Sequence, residues 1–130
     1  MNNLTDLWEN RVMDWLNPAV DAPDRPTGPL RVAIFITMPT SDDGTGGTEV
    51  TGGGYARTDV VFAEAASGMT SNTLPVTFAE ALDDWGLCEG IGIYEDGGTL
   101  MWTGTFPAPK TILSGQTFRI NSGTLVLEFD

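Results

Sequence analysis

Three places in the 130-residue chain bring together residue types that can do chemistry. The first is Asp83-Asp84-Trp85. Carboxylates accept hydrogen bonds from sugar hydroxyls and an indole stacks on a sugar ring, so this end could hold a carbohydrate. The alternative is a core tryptophan beside two solvated acids. Asp83 and Glu95 could also be imagined as the acid and base of a glycosidase, but eighteen Asp and Glu allow many such pairings. The second place is the loop over 40–54, where Asp42, Asp43 and Glu49 are oxygen ligands of the kind calcium takes. Their spacing does not alternate as in the helix-loop-helix calcium site, so a solvated loop is the better reading. Its glycines are followed by no Gly-Lys-Ser/Thr and no helix, which excludes a phosphate-binding loop. The third is Cys88, the only cysteine. It can form no internal disulfide and reads as a small, reduced core residue. With no histidine in the chain, the commonest general base and metal ligand are missing. No enzyme activity, cofactor or metal is therefore expected.

The elements that position these residues centre on Trp85–Phe106, which reads as two strands joined by the acidic turn Asp96-Gly97-Gly98. Ile91 and Ile93 fall on one face of the first strand, with Gly90, Gly92 and Tyr94 on the other. In the second, Leu100, Trp102 and Phe106 share a face, with Met101, Thr103 and Thr105 opposite. Before the hairpin, Leu30–Met38 is a strand with Val32, Ile34, Ile36 and Met38 on one face. Ala33 and Phe35 make its other face apolar too, so both faces are covered or one meets a neighbour. Tyr55–Phe62 and Leu74–Phe78 read as further strands, and Arg57 needs a carboxylate partner. Ala79–Trp85 reads as a short helical turn and Pro107–Lys110 as a turn. Thr111–Leu113, Gln116–Ile120 and Thr124–Asp130 close the chain, the last with Leu125, Leu127 and Phe129 inward. This pattern predicts a mainly β fold over 30–130: an antiparallel β-sandwich or jelly-roll-like barrel, with one N-terminal α-helix.

That helix is expected within 1–17, over Leu4–Leu16, capped by Asn2 or Asn3 and stopped by Pro18. Leu4, Leu7, Trp8, Val12, Trp15 and Leu16 repeat at three-and-four spacing, and Arg11 lies on the same stripe. So short a helix needs something to pack on. The stripe can pack on its own domain or dock on another subunit, and two tryptophans on a terminal helix make good interface anchors. Leu4, Leu7, Trp8, Arg11, Val12, Trp15 and Leu16 are thus the candidate partner-binding residues. The proline-rich linker over 18–29 lets the helix sit away from the sandwich. On this reading, replacing both Trp8 and Trp15 with Ala leaves a folded sandwich that no longer joins its partner.

Six Lys and Arg against eighteen Asp and Glu give a formal net charge of −12. Nucleic acids and anionic membranes need clustered positive charge, so neither is an expected partner. The longest apolar run, Val32–Ile36, is far short of a membrane span. The N-terminus has no basic segment of the kind that opens a secretory signal, so synthesis and assembly in a cytoplasm are expected.

LTDLWENRVMDWL at the start, GGGYAR at 52–57, SNTLPVTFAEA at 71–81, DWG at 84–86, GIYEDGGTLMW and PKTILSGQT at 109–117 together resemble a family of small phage virion proteins. Its members are usually described as tail-fibre proteins, and similar jelly-roll or barrel proteins of this size serve as capsid decoration, or cement, proteins. The resemblance spans nearly the whole chain and implies a structural virion protein with no catalytic residues. It implies first a decoration protein that binds and stabilises the major capsid protein through an oligomeric β-sandwich, threefold by analogy. The alternative is a tail-fibre or tail-adaptor component bound to a tail protein, with a host-receptor or carbohydrate contact at Asp83–Trp85 or the 40–54 loop. Either way the expected location is the virion, assembled in the host cytoplasm.

Overall fold

A computed structural model of the chain describes residues 2–40 and 45–129. In chain order the elements are β1 (Asn2–Leu4), α1 (Asp6–Leu16), β2 (Leu30–Thr37), β3 (Thr48–Glu49), β4 (Thr58–Val60), β5 (Met69–Ser71), β6 (Val76–Thr77), β7 (Gly86–Tyr94), β8 (Leu100–Ile112), β9 (Arg119–Ile120) and β10 (Val126–Glu128). The fold is mainly antiparallel β and sandwich-like, with the single helix near the N-terminus.

The long strands β2, β7 and β8 form the middle of a six-stranded sheet ordered β1-β8-β7-β2-β3, with β4 also paired to β2. Direct partners across the ladders share a face. Val32 pairs with Ile93, Ile34 with Ile91 and Ile93 with Trp102, so these five line one side of the sheet. Two small sheets, β5 with β10 and β6 with β9, close over that side. They and their loops bring Val76, Phe78, Phe118, Leu125 and Leu127 into the same buried cluster. The other side is apolar as well, as the two-sided pattern of β2 implies: Ala33, Phe35 and Leu100 are buried there. Gly92 makes the room. A Cβ on it would stand 2.6 Å from Phe35 Cε2 and 2.8 Å from Leu100 Cδ1.

Several local expectations are corrected. Leu100 does not share a face with Trp102. The ladder pairs Ile93 with Trp102 but Tyr94 with Leu100, so Met101 is an extra residue in β8. A bulge of this kind breaks the two-residue period and turns Leu100 to the Phe35 side. Pro107–Lys110 is not a turn but lies inside β8. The ladder passes from Gly90–Thr105 to Cys88–Lys110, so Pro107 and Pro109 sit where no cross-strand amide is needed. Ala79–Trp85 forms no helical turn. The amides of Ala81, Leu82 and Trp85 donate to the carbonyls of Gln116, Gly53 and Ile112, across the fold rather than along a helix. Phe129 is 59% exposed rather than inward, with its ring 5.8 Å from that of Trp102.

Candidate interaction site

The N-terminal segment divides at Thr5. Asn2–Leu4 pairs with Gly104–Trp102 as an edge strand, so Leu4 belongs to β1 and not to the helix. Pairing on the edge of β8 satisfies backbone groups that a longer helix would leave unpaired, and it lays Leu4 opposite Trp102. Thr5, not Asn2 or Asn3, then takes the N-cap position. Its hydroxyl makes no cap hydrogen bond. It donates instead to the Leu100 carbonyl at 2.9 Å, while the Thr5 amide donates to Met101 O at 2.8 Å. Thr5 is buried, so these two bonds fix the first turn of α1 on the bulge in β8. At the other end Asn17 Oδ1 accepts from the Ala19 amide, and Pro18 prevents continuation.

The helix therefore does not sit away from the sandwich. Trp8 is 4% exposed and joins Leu4, Met101 and Trp102 in the core cluster. Its indole N–H has no hydrogen-bond partner. The Arg11 guanidinium lies over the Trp8 ring, 4.5 Å from its centroid. The 18–29 linker is tied down as well. The Thr27 amide donates to Glu95 Oε2, and the Asp96 and Gly97 amides donate to the Thr27 carbonyl and hydroxyl oxygens. Held at both ends, the linker runs beside α1 and encloses a groove of about 490 Å³. Trp8, Val12 and Trp15 form one wall, Pro23–Pro26 another, and Met101, Trp102 and Phe129 the rest. Arg11 and Arg25 stand at the groove with Asp24 between linker prolines. Neither arginine is in an ion pair among the described residues, whereas Arg31 holds Asp59 and Asp96, and Arg57 holds Glu49.

The predicted stripe is thus split. Leu4 and Trp8 are buried in their own domain, and Arg11 and Val12 are half-buried against it. Leu7, Trp15 and Leu16 are exposed, the last two at 64% and 63%. Sequence reasoning missed the opposite wall, which comes from residues far along the chain. It also missed Met13, 66% exposed beside Leu16.

The other candidates resolve differently. Trp85 is buried, donates from Nε1 to the Gly53 carbonyl at 3.0 Å and meets Tyr55 edge-on, so its ring cannot stack on a sugar. Asp84 accepts from the Ser114 amide. Asp83 and Glu95 flank opposite ends of β7, a strand that spans roughly 26 Å at about 3.3 Å per residue, far beyond the spacing of a glycosidase pair. Asp42 and Asp43 lie outside the described residues. Glu49 is not a free ligand: it takes a two-pronged contact from Arg57 and a 2.6 Å hydrogen bond from the Tyr55 hydroxyl. Burial works to raise the Glu49 carboxyl, but these donors hold it below its ordinary value. Burial first, and then the bond to Glu49, push the Tyr55 phenol far up. Cys88 is free and buried, and desolvation raises its thiol. Among the described residues no group of three or more His, Cys, Asp or Glu could hold a metal ion. Among the described residues no helix is long and apolar enough to cross a membrane.

A family model described as Podophage GP4 fiber I protein gp80 matches residues 3–128. The chain belongs to this family of phage fibre proteins. No curated protein sequence matches it. A member of this family is a structural component of the virion and associates with other virion components. In this fibre-family protein the α1 side combines an apolar groove, two guanidiniums outside any ion pair among the described residues and an exposed tryptophan.

Proposed function

We propose that this fibre-family protein is a non-enzymatic building block carried in the phage fibre and joined to a neighbouring subunit through its α1 side. One observation carries the reading: α1 commits Trp8 to its own core but leaves Trp15, 64% exposed, on the wall of an aromatic groove and Leu16, next along the helix, 63% exposed. Large side chains left in water beside a preformed apolar surface mark an interface. The family description supports the fibre position. A capsid-decorating position is the competing outcome, and copies per particle separate the two. A count on the scale of the coat protein places the chain on the capsid; a count on the scale of the tail parts places it in the fibre. Particles assembled with Trp15→Ala/Leu16→Ala protein are expected to lack it. Normal incorporation of that variant would overturn the role given to α1.

A further inference from the structure

We infer that the occupant of the α1 groove is a second copy of this chain, presenting the outer face of its own helix. The inference rests on α1 being the assembly surface and names the partner there. The groove offers an apolar floor with two guanidiniums, Arg11 and Arg25, that form no ion pair among the described residues, against one lining carboxylate, Asp24. A fitting occupant carries apolar side chains with carboxylates next to them. The helix itself has such a face. Glu9, Met13 and Leu16 follow one another at four- and three-residue spacing, on the side of α1 away from Trp8, and all three are exposed. Asp6 lies exposed on the same side, one turn from Glu9. Met13 and Leu16 are 66% and 63% exposed, so this face is open to solvent.

Groove and face lie on different sides of one helix. A copy that fills its neighbour's groove therefore keeps its own groove open for the next copy. Such head-to-tail contacts build a ring when the rotation closes.

The experiment measures the mass of the purified full chain in solution across a concentration series, by light scattering and sedimentation. The wild type is expected to self-associate. Arg25→Glu and Glu9→Arg are each expected to weaken association about tenfold or more, because each sets like charges against each other. The double variant Arg25→Glu/Glu9→Arg is expected to restore it. Both positions are exposed, so unchanged thermal unfolding serves as the control for folding. A wild type that stays monomeric overturns the inference, and so does an oligomer indifferent to both reversals or a double variant that is not rescued. Incorporation into particles reads the broader proposal separately. A monomeric protein whose Trp15→Ala/Leu16→Ala variant is still lost from particles keeps α1 as the assembly surface but assigns it to another virion subunit.

Discussion

Trp8 and Trp15 stand two helical turns apart and should respond to truncation in opposite ways. Trp8 is 4% exposed and Trp15 64%. Removing a buried tryptophan side chain costs about 3–5 kcal/mol. Losing the Arg11 contact over its ring adds about 0.5–1 kcal/mol. Against this, the buried indole N–H has no partner, and truncation relieves a penalty of about 1–3 kcal/mol. The net loss for Trp8→Ala is then about 2–4 kcal/mol, or about 10 °C in Tm for a domain of this size. Trp15→Ala should stay within about 0.5 kcal/mol of the wild type. Trp8→Phe keeps most of the apolar contact and deletes the orphan N–H, so it should fall well short of the alanine loss. Thermal and urea unfolding of the three variants, followed by tryptophan fluorescence and circular dichroism, reads all of this. Equal, small shifts for the two alanine variants would show that Trp8 is not packed on the sheet, and the groove would go with it. The expectation that both tryptophans are dispensable for folding is thereby replaced by one that separates them.

Glu49 should govern part of the acid limb of stability. Its carboxyl is held low in the fold, so its contribution is complete above the ordinary glutamate value of about 4.3 and is lost as pH falls through the lower folded value. Glu49→Gln should therefore unfold more easily at neutral pH, by about 2 kcal/mol, and lose less further stability than the wild type on acidification; parallel acid limbs would refute the assignment. Tyr55 is displaced upwards, so its contribution is complete below about 10 and lost above it, and Tyr55→Phe should flatten the alkaline limb in the same unfolding series. Gly92→Ala should cost about 1–3 kcal/mol, because its new methyl meets Phe35 and Leu100 at 2.6 and 2.8 Å; an unchanged urea midpoint would show that this layer is loosely packed.

How much was legible follows from the range of the interactions involved. Alternation is a local signal, and it located the central hairpin, its glycine turn and the two-sided burial of β2. It failed where an extra residue changes the phase, as at Met101, because nothing in the residue types announces a bulge. The helical stripe groups Trp8 and Val12 with Trp15 and Leu16 as partner-binding, because the same spacing cannot tell a side chain that reaches its own sheet, as Trp8 does, from one that overshoots it. Trp15 and Leu16 overshoot it. The start of α1 was hidden because the Thr5 hydroxyl bonds 95 positions away, to Leu100. For the same reason only one wall of the groove could be read, since the facing wall is Met101, Trp102 and Phe129. Arg57 was recognisable as a cation in need of a carboxylate, but choosing Glu49 required the fold to bring β3 beside Tyr55.

The acidity of the chain bears on where copies can meet. Its formal net charge is −12, so two copies repel at long range. At physiological salt that repulsion fades beyond about 8 Å, and what remains is the charge at the contact itself. Another exposed apolar patch shows the consequence. Leu82 and Leu113, 67% and 45% exposed, are brought together where the Ser114 hydroxyl donates to the Leu82 carbonyl. Their exposed neighbours are Glu80, Asp83 and Asp84, so a second copy arriving there would set carboxylates against carboxylates. At the α1 groove the same incoming acidity meets Arg11 and Arg25. Charge thus favours the α1 groove, where two guanidiniums outnumber Asp24, over the Leu82–Leu113 patch, by penalising the wrong contact as much as by favouring the right one.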